Sequence, residues 1–190
     1  MNAPLSFFFL LSFTLISNNF TPINAIFSTQ SNIMLPTNQY HTQKLTHLHF
    51  FYHDILEGKN PTVVQIIDPS NTSSSGFGTT FMMDNLLTKG QELSSTKVGR
   101  AQGLFGLASL HDHGMVMLIN FVFSEGSSYE GSTLSLVGRN PVQDTVREMA
   151  IVGGTGVFRF AKGYAIAKSL WDISTSQHFV VEYDVTISFP

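Results

Sequence analysis

A chain of 190 residues with a net charge of −3 and only 12% charged residues carries no basic footprint for nucleic acid and no cluster of cations for an anionic membrane surface. It has no cysteine, which excludes thiol catalysis and disulfide staples, so the 43% of hydrophobic residues must hold it together by packing or by assembly.

The chain opens with Leu5-Ser-Phe-Phe-Phe-Leu-Leu-Ser-Phe-Thr-Leu-Ile16. This apolar run of about a dozen residues is too short to span a bilayer, which takes roughly 20, and suits the h-region of a signal peptide. Ser17-Asn18-Asn19 follows, then Ile23-Asn24-Ala25, whose small last residue suits cleavage. Residues 1–25 are therefore expected to be a signal peptide, although no Lys or Arg precedes Lys44. The remaining chain, roughly 165 residues, is one domain by length and large enough to bury a full core. Residues 26–44 are polar and aperiodic and read as a flexible N-terminal segment; residues 45–190 form the domain.

From Leu45 onward the chain breaks into short strand-like runs at about 45–56, 62–68, 77–84, 99–109, 114–124, 131–137, 145–152, 156–168 and 178–189. Turn signals separate them, among them Asp68-Pro69-Ser70-Asn71, Gly138-Arg139-Asn140-Pro141 and Gly153-Gly154-Thr155-Gly156. The last of these lacks a following Lys-Ser/Thr and a following helix, so a tight hairpin is expected rather than a phosphate loop. No stretch sustains a 3.6-residue apolar period, and evenly spaced short strands point to an antiparallel barrel or sandwich. Gly99, Gly103, Gly106 and Gly163 lie inside strand runs, where glycine marks bends or close backbone approach. Met115–Phe123 is apolar on both faces, so its outer face needs a cover; with no helices to supply one, a second copy of the chain is expected. Asn71-Thr72-Ser73 is an N-glycosylation sequon in a serine-rich loop.

Two charges stand in apolar company. Asp54 shares a strand face with Leu48, Phe50, Tyr52 and Leu56, and Arg147 shares one with Met149 and Ile151. An unpaired charge there is costly, so each must pair, neutralise or line a polar site. The two alternatives are a buried structural ion pair and a barrel cavity walled by Phe, Tyr, Met and Leu that suits a flat aromatic ligand. A carboxyl in apolar surroundings has a raised pKa and delivers a proton near neutrality, while Arg stays cationic and holds a developing oxyanion. His47, His49 and His53 share the opposite strand face. Their spacing allows a metal site, but the carboxylate and further histidine of a cupin-type centre are missing, and surface or interface histidines are the expected outcome. No Gly-x-Ser-x-Gly elbow supports a serine hydrolase.

At these residues the sequence resembles the plant dirigent proteins. The resemblance is carried by Phe50-Phe-Tyr-His-Asp-Ile-Leu-Glu-Gly-Lys-Asn60, Val98-Gly-Arg-Ala-Gln-Gly-Leu104, Tyr129-Glu-Gly-Ser-Thr-Leu-Ser-Leu-Val-Gly-Arg-Asn-Pro141 and Val146-Arg-Glu-Met-Ala-Ile-Val-Gly-Gly-Thr-Gly-Val-Phe-Arg-Phe-Ala-Lys-Gly-Tyr-Ala165. It implies an eight-stranded antiparallel β-barrel similar to allene oxide cyclase, secreted to the plant apoplast. The expected assembly is a homotrimer, with a homodimer as the alternative. It also implies no cofactor and no oxidase activity. An external laccase or peroxidase makes phenoxy radicals from a monolignol, and the barrel sets the stereochemistry of coupling or of quinone methide closure. Some members are instead lyase-type enzymes that dehydrate isoflavanols to pterocarpans. By resemblance Asp54 is the proton donor or acceptor and Arg147 its partner, with Phe50, Tyr52, Phe105, Asn140 and Met149 around the substrate. Arg139-Asn140-Pro141, where pinoresinol-forming members usually have Asp before Pro, looks like the pterocarpan synthase branch. Phe105 stands where a cavity Tyr is common. The alternative function is a non-catalytic secreted phenolic-binding or defence protein.

Overall fold

The computed structural model describes residues 27–33, 43–69, 76–124 and 126–190. Ten strands follow in chain order: β1 (Ser28–Ile33), β2 (Gln43–Ile55), β3 (Val63–Ile67), β4 (Thr80–Thr88), β5 (Lys97–Leu107), β6 (Gly114–Phe123), β7 (Thr133–Pro141), β8 (Arg147–Thr155), β9 (Lys162–Ser169) and β10 (His178–Phe189). Every pairing is antiparallel. Eight strands form a closed ring, β2-β10-β9-β8-β7-β6-β5-β4, shut by the short β2–β4 seam at Phe51↔Thr88, Tyr52↔Leu87 and His53↔Leu86. Where the seam parts, β1 continues along β2 and β3 along β4, so neither diverging edge is left bare.

Alternation explains the closure. Met117, Ile119, Phe121 and Phe123 of β6 are buried inside, as are Tyr183, Val185, Ile187 and Phe189 of β10. A wall bent this tightly needs positions without a side chain. At Gly103 an added Cβ would strike the carbonyl oxygen of Leu118, and at Gly163 that of Thr186.

The inward residues divide along the barrel axis. At one end Phe27, Phe123, Tyr129, Phe158 and Phe189 meet ring to ring, with centroid separations of 4.7–6.2 Å, and fill the interior. At the other end the interior stays open. On the outside, register neighbours Met82, Leu104, Leu118, Val137, Ala150 and Tyr164 make an apolar row across six strands. Leu118 at its centre is 42% exposed.

Several elements differ from the sequence expectation. Within the polar segment expected to be flexible, Ser28–Ile33 forms an edge strand. It has no apolar face of its own; backbone pairing to β2 and the neighbouring Phe27 ring, packed on the core, hold it. β4 runs on past Asp84, where the expected run ends, through Asn85 to Thr88. Gly138–Pro141 lies inside β7, and Gly153–Thr155 inside β8. The turn begins only at Gly156 (φ 62°), as a 3-10 turn over Gly156–Phe158. The signal-peptide residues and Asn71 lie outside the described residues.

Candidate functional site

The open end encloses a cavity of about 460 Å³. Its wall takes Tyr52, Asp54 and Leu56 from the C-terminal part of β2 and beyond it, Phe81 from β4, and Phe105 and Leu107 from β5. The other side supplies Met115, Met117, Asn140, Arg147, Ser169, Val181 and Tyr183, with Trp171 and Phe179 edge-to-face, 6.1 Å between centroids. Phe81 and Phe105 stack at 4.8 Å and 16°. These are flat apolar surfaces broken by a few polar atoms, the composition of a site for an aromatic ligand.

Asp54 and Arg147 both border this cavity, and no ion pair joins them. Each is held by neutral partners instead. Asp54 Oδ1 accepts a hydrogen bond from Asn85 Nδ2 at 3.0 Å. Burial raises the Asp54 pKa to about 6, and the Asn85 bond works against that rise. Arg147 Nε donates to Asn140 Oδ1 at 3.0 Å, and Nη1 donates to Ser169 Oγ at 3.0 Å and to the Asp144 carbonyl at 3.3 Å. Nη2 makes no hydrogen bond to the described residues, and Arg147 borders the cavity. Burial lowers the Arg147 pKa from its ordinary value, and Tyr183 and Asp144 counter that. The site thus offers a protonatable acid and a clamped cation that do not cancel each other.

Tyr183 belongs with them and was not singled out from the sequence. Its ring forms the floor between cavity and packed core, 5.4 Å from Phe121 and 5.8 Å from Phe50. Its hydroxyl makes no hydrogen bond to the described residues. Burial pushes its pKa up to about 12; the positive charge of Arg147 lowers it and Asp54 raises it, so the phenol feels both groups. Sequence alternation already places Tyr183 inward; only its depth beside Asp54 and Arg147 required coordinates.

Of the expected substrate contacts, Tyr52, Phe105 and Asn140 line the cavity. Phe50 and Met149 do not: they lie deeper in the closed core, because their strand positions fall one pleat below the cavity floor. Tyr52 presents its ring but not its proton, since its hydroxyl donates to Met83 Sδ at 3.1 Å and accepts from Asn85 at 2.6 Å.

The histidines face outward. His47 pairs with Asp184 at 3.3 Å and His49 with Glu182 at 2.9 Å. His53 is fully buried between Thr88 Oγ1 (2.7 Å) and His178 Nε2 (3.1 Å). Thr88 gives its own proton to the Gly90 carbonyl, so His53 Nε2 donates to Thr88 and Nδ1 accepts from His178. Burial, then the neighbouring His178, lowers the His53 pKa to about 4 and keeps it neutral. His49, Glu182 and Asp184 have ligand atoms close enough to hold a metal ion, but on the outer face, away from the cavity.

Residues 45–188 match the family model described as Dirigent-like protein. Dirigent protein 21 of Arabidopsis thaliana is 46% identical over 84% of this chain and 85% of its own length. Pterocarpan synthase 1 of Glycyrrhiza echinata is 40% identical over 94% of this chain and 95% of its own. The solved structure of the pterocarpan synthase dirigent protein GePTS1 superposes with a TM-score of 0.72 at 42% identity, covering 80% of this chain and 88% of that one.

Proposed function

The chain belongs to the dirigent family, and we propose that it is a secreted homo-oligomeric member that directs quinone methide closure in phenylpropanoid or isoflavonoid biosynthesis, in the manner of a pterocarpan synthase. The observation that carries this is the unpaired arrangement of Asp54 and Arg147 on one aromatic cavity. With a pKa of about 6, Asp54 is a competent acid near neutrality. It would protonate the benzylic hydroxyl of an isoflavanol, which leaves as water. The conjugated phenol gives its proton to solvent, and Arg147 steadies the phenolate until loss of water turns it into the neutral quinone methide. A second phenol of the same molecule then closes the ring, its proton going to Asp54; the first oxygen becomes a phenolate again beside Arg147 and takes a proton back from solvent. The walls fix which face is attacked.

Asn140 favours this over radical coupling of a monolignol supplied by laccase or peroxidase. An Asp there would pair with Arg147 and cancel its charge, whereas the neutral amide holds the guanidinium and leaves it free for a substrate oxygen. Support for assembly comes from the exposed apolar row across β4–β9; a trimer is the expected form. The apolar N-terminal run supports secretion, and among the described residues no helix is long and apolar enough to cross a membrane.

Chiral chromatography of products from racemic isoflavanol tests the proposal. Wild type should yield one enantiomer of the ring-closed product, and Asp54→Asn should lose about 10²–10⁴ in rate while keeping its fold. Unchanged turnover in Asp54→Asn would refute the acid role. No turnover by wild type, with phenol binding intact, would favour a non-catalytic phenolic-binding protein.

A further inference from the structure

We propose that Asn85 is a positioning residue that dictates which oxygen of Asp54 carries the proton, holding Oδ1 as an acceptor and leaving Oδ2 as the protonated atom at the cavity. Asn85 is fully buried on the inner face of β4 and makes no contact with the cavity itself. Its amide sits at the centre of a short hydrogen-bonded chain. The Ile55 backbone N–H donates to Thr62 Oγ1 at 3.1 Å, and the Thr62 hydroxyl donates to Asn85 Oδ1. The amide nitrogen of Asn85 donates to the Tyr52 hydroxyl oxygen at 2.6 Å and to Asp54 Oδ1 at 3.0 Å, with Met83 Sδ a longer contact at 3.8 Å. Tyr52 sends its own proton to Met83 Sδ at 3.1 Å, so it can only accept from Asn85.

The Thr62 donor and the ionised form of Asp54 set the orientation of the amide. If the amide were reversed, its oxygen would face the Asp54 carboxylate and its nitrogen the Thr62 hydroxyl. The Thr62 proton would then lose its acceptor, and the ionised form of Asp54 would face a second buried acceptor. In the orientation present, a proton on Asp54 Oδ1 would point at an N–H donor. The proton therefore resides on Oδ2, which has no hydrogen-bond partner among the described residues, and Asp54 borders the cavity. The neutral amide also does what a cation could not. It fixes the carboxyl without forming an ion pair that would hold it permanently ionised. The other charged or titratable groups around Asp54 are Tyr52 beside it and Tyr183 and Arg147 across the cavity, and none of them bonds to either of its oxygens.

This rests on the acid role of Asp54, but its test does not. Asp54 would be followed directly, by carboxyl-carbon NMR titration and by the C=O stretch of the protonated form, in the full-length oligomer. In wild type the stretch should lie at the lower frequency of a hydrogen-bonded carbonyl. Asn85→Leu should move the titration midpoint up by about one pH unit and the stretch to the higher frequency of a free carbonyl. Thr62→Val, which frees the amide without deleting it, should move both in the same direction by less, and stands in if Asn85→Leu does not fold. A midpoint and stretch unmoved in a folded variant overturn the proposal, since a merely structural asparagine would change stability alone. The acid limb of the pH–rate profile should follow the NMR midpoint. If the midpoint moves but wild type turns over no isoflavanol, the placement of the proton stands and the catalytic proposal falls. If wild type is active and the midpoint is fixed, the reverse holds.

Discussion

The two ends of the barrel obey the same inward–outward alternation and reach opposite results. At the closed end Phe27, Phe123, Tyr129, Phe158 and Phe189 point to one axis and fill it. At the open end the axis is met by Asp54, Asn140, Arg147 and the Tyr183 hydroxyl, among rings that stack along the wall, such as Phe81 on Phe105. Groups that need polar partners cannot interdigitate as rings do, so that half stays hollow. Ring packing is concentrated at one end, and buried polar groups around a cavity at the other.

The largest effect that tests this division is on folding. Phe158 is fully buried and touches three other rings. Phe158→Ala should cost about 3–5 kcal/mol in denaturant unfolding, because the cavity it leaves is walled on every side. Met117→Ala, whose side chain already borders open space, should cost about 2 kcal/mol, the low end for such a truncation. Equal losses would break the comparison between the two ends.

The next effect has its sign set by pH. The folded pKa of Asp54, about 6, lies above its ordinary 3.8, so the fold binds this proton more tightly than the unfolded chain does. The stability it contributes is present below about pH 4 and is lost as pH rises through about 6. At pH 7 the ionised group costs on the order of 1–2 kcal/mol, since the cavity leaves it part solvent. Asp54→Asn should therefore raise the thermal midpoint at pH 7 by a few degrees and flatten its dependence between pH 4 and 6. His53 acts oppositely: with its pKa lowered to about 4 by burial, its contribution is present above about pH 6.5 and is lost on acidification. A lower midpoint for Asp54→Asn at pH 7 would mean that the open end had been optimised for stability after all.

Much of this contrast is legible in the sequence, and the gaps have physical causes. The strands and the inward faces that carry Asp54 and Arg147 follow from period-two alternation, which sums over many residues; that both border one cavity is set by the closed ring. What fails is single-residue punctuation. The expected run stops at Asp84, since Asp and Asn side chains compete for the backbone, yet cross-strand pairing carries β4 through Asn85, which turns out to hold Asp54. Ser28–Ile33 carries no apolar alternation, since an edge strand is held by its ladder and one anchoring ring. Phe50 and Met149 share faces with the site residues, but depth along a strand is set by where the plug ends, which no local pattern encodes.

A smaller effect should come from Asn140→Asp. A carboxylate at the position 3.0 Å from Arg147 Nε would form a charge-assisted bond and raise stability by about 1 kcal/mol. It would also neutralise the cation offered to the substrate oxygen, and isoflavanol turnover should fall about tenfold at pH 7, read as kcat/KM. Unchanged turnover would show that the charge on Arg147 is not used in the rate-limiting step.

The smallest change on stability is Phe105→Tyr. Phe105 is 7% exposed, stacks on Phe81 and borders the cavity, so an added hydroxyl can reach the open space without breaking the stack. The thermal midpoint should move by less than about 2 °C, within the range of substitutions that leave packing intact. The product should move more. A new donor on the β5 wall, where Phe105 and Leu107 now offer only apolar atoms, can bind a phenol oxygen, and one neutral hydrogen bond, about 0.5–1.5 kcal/mol, is a factor of roughly 2–10 in the ratio of competing orientations. Enantiomeric excess and relative rates across a panel of isoflavanols and monolignols would reveal it. If stability falls sharply while selectivity stays fixed, Phe105 belongs to the packed end rather than the working one, and the boundary between the two lies closer to the mouth than Tyr183.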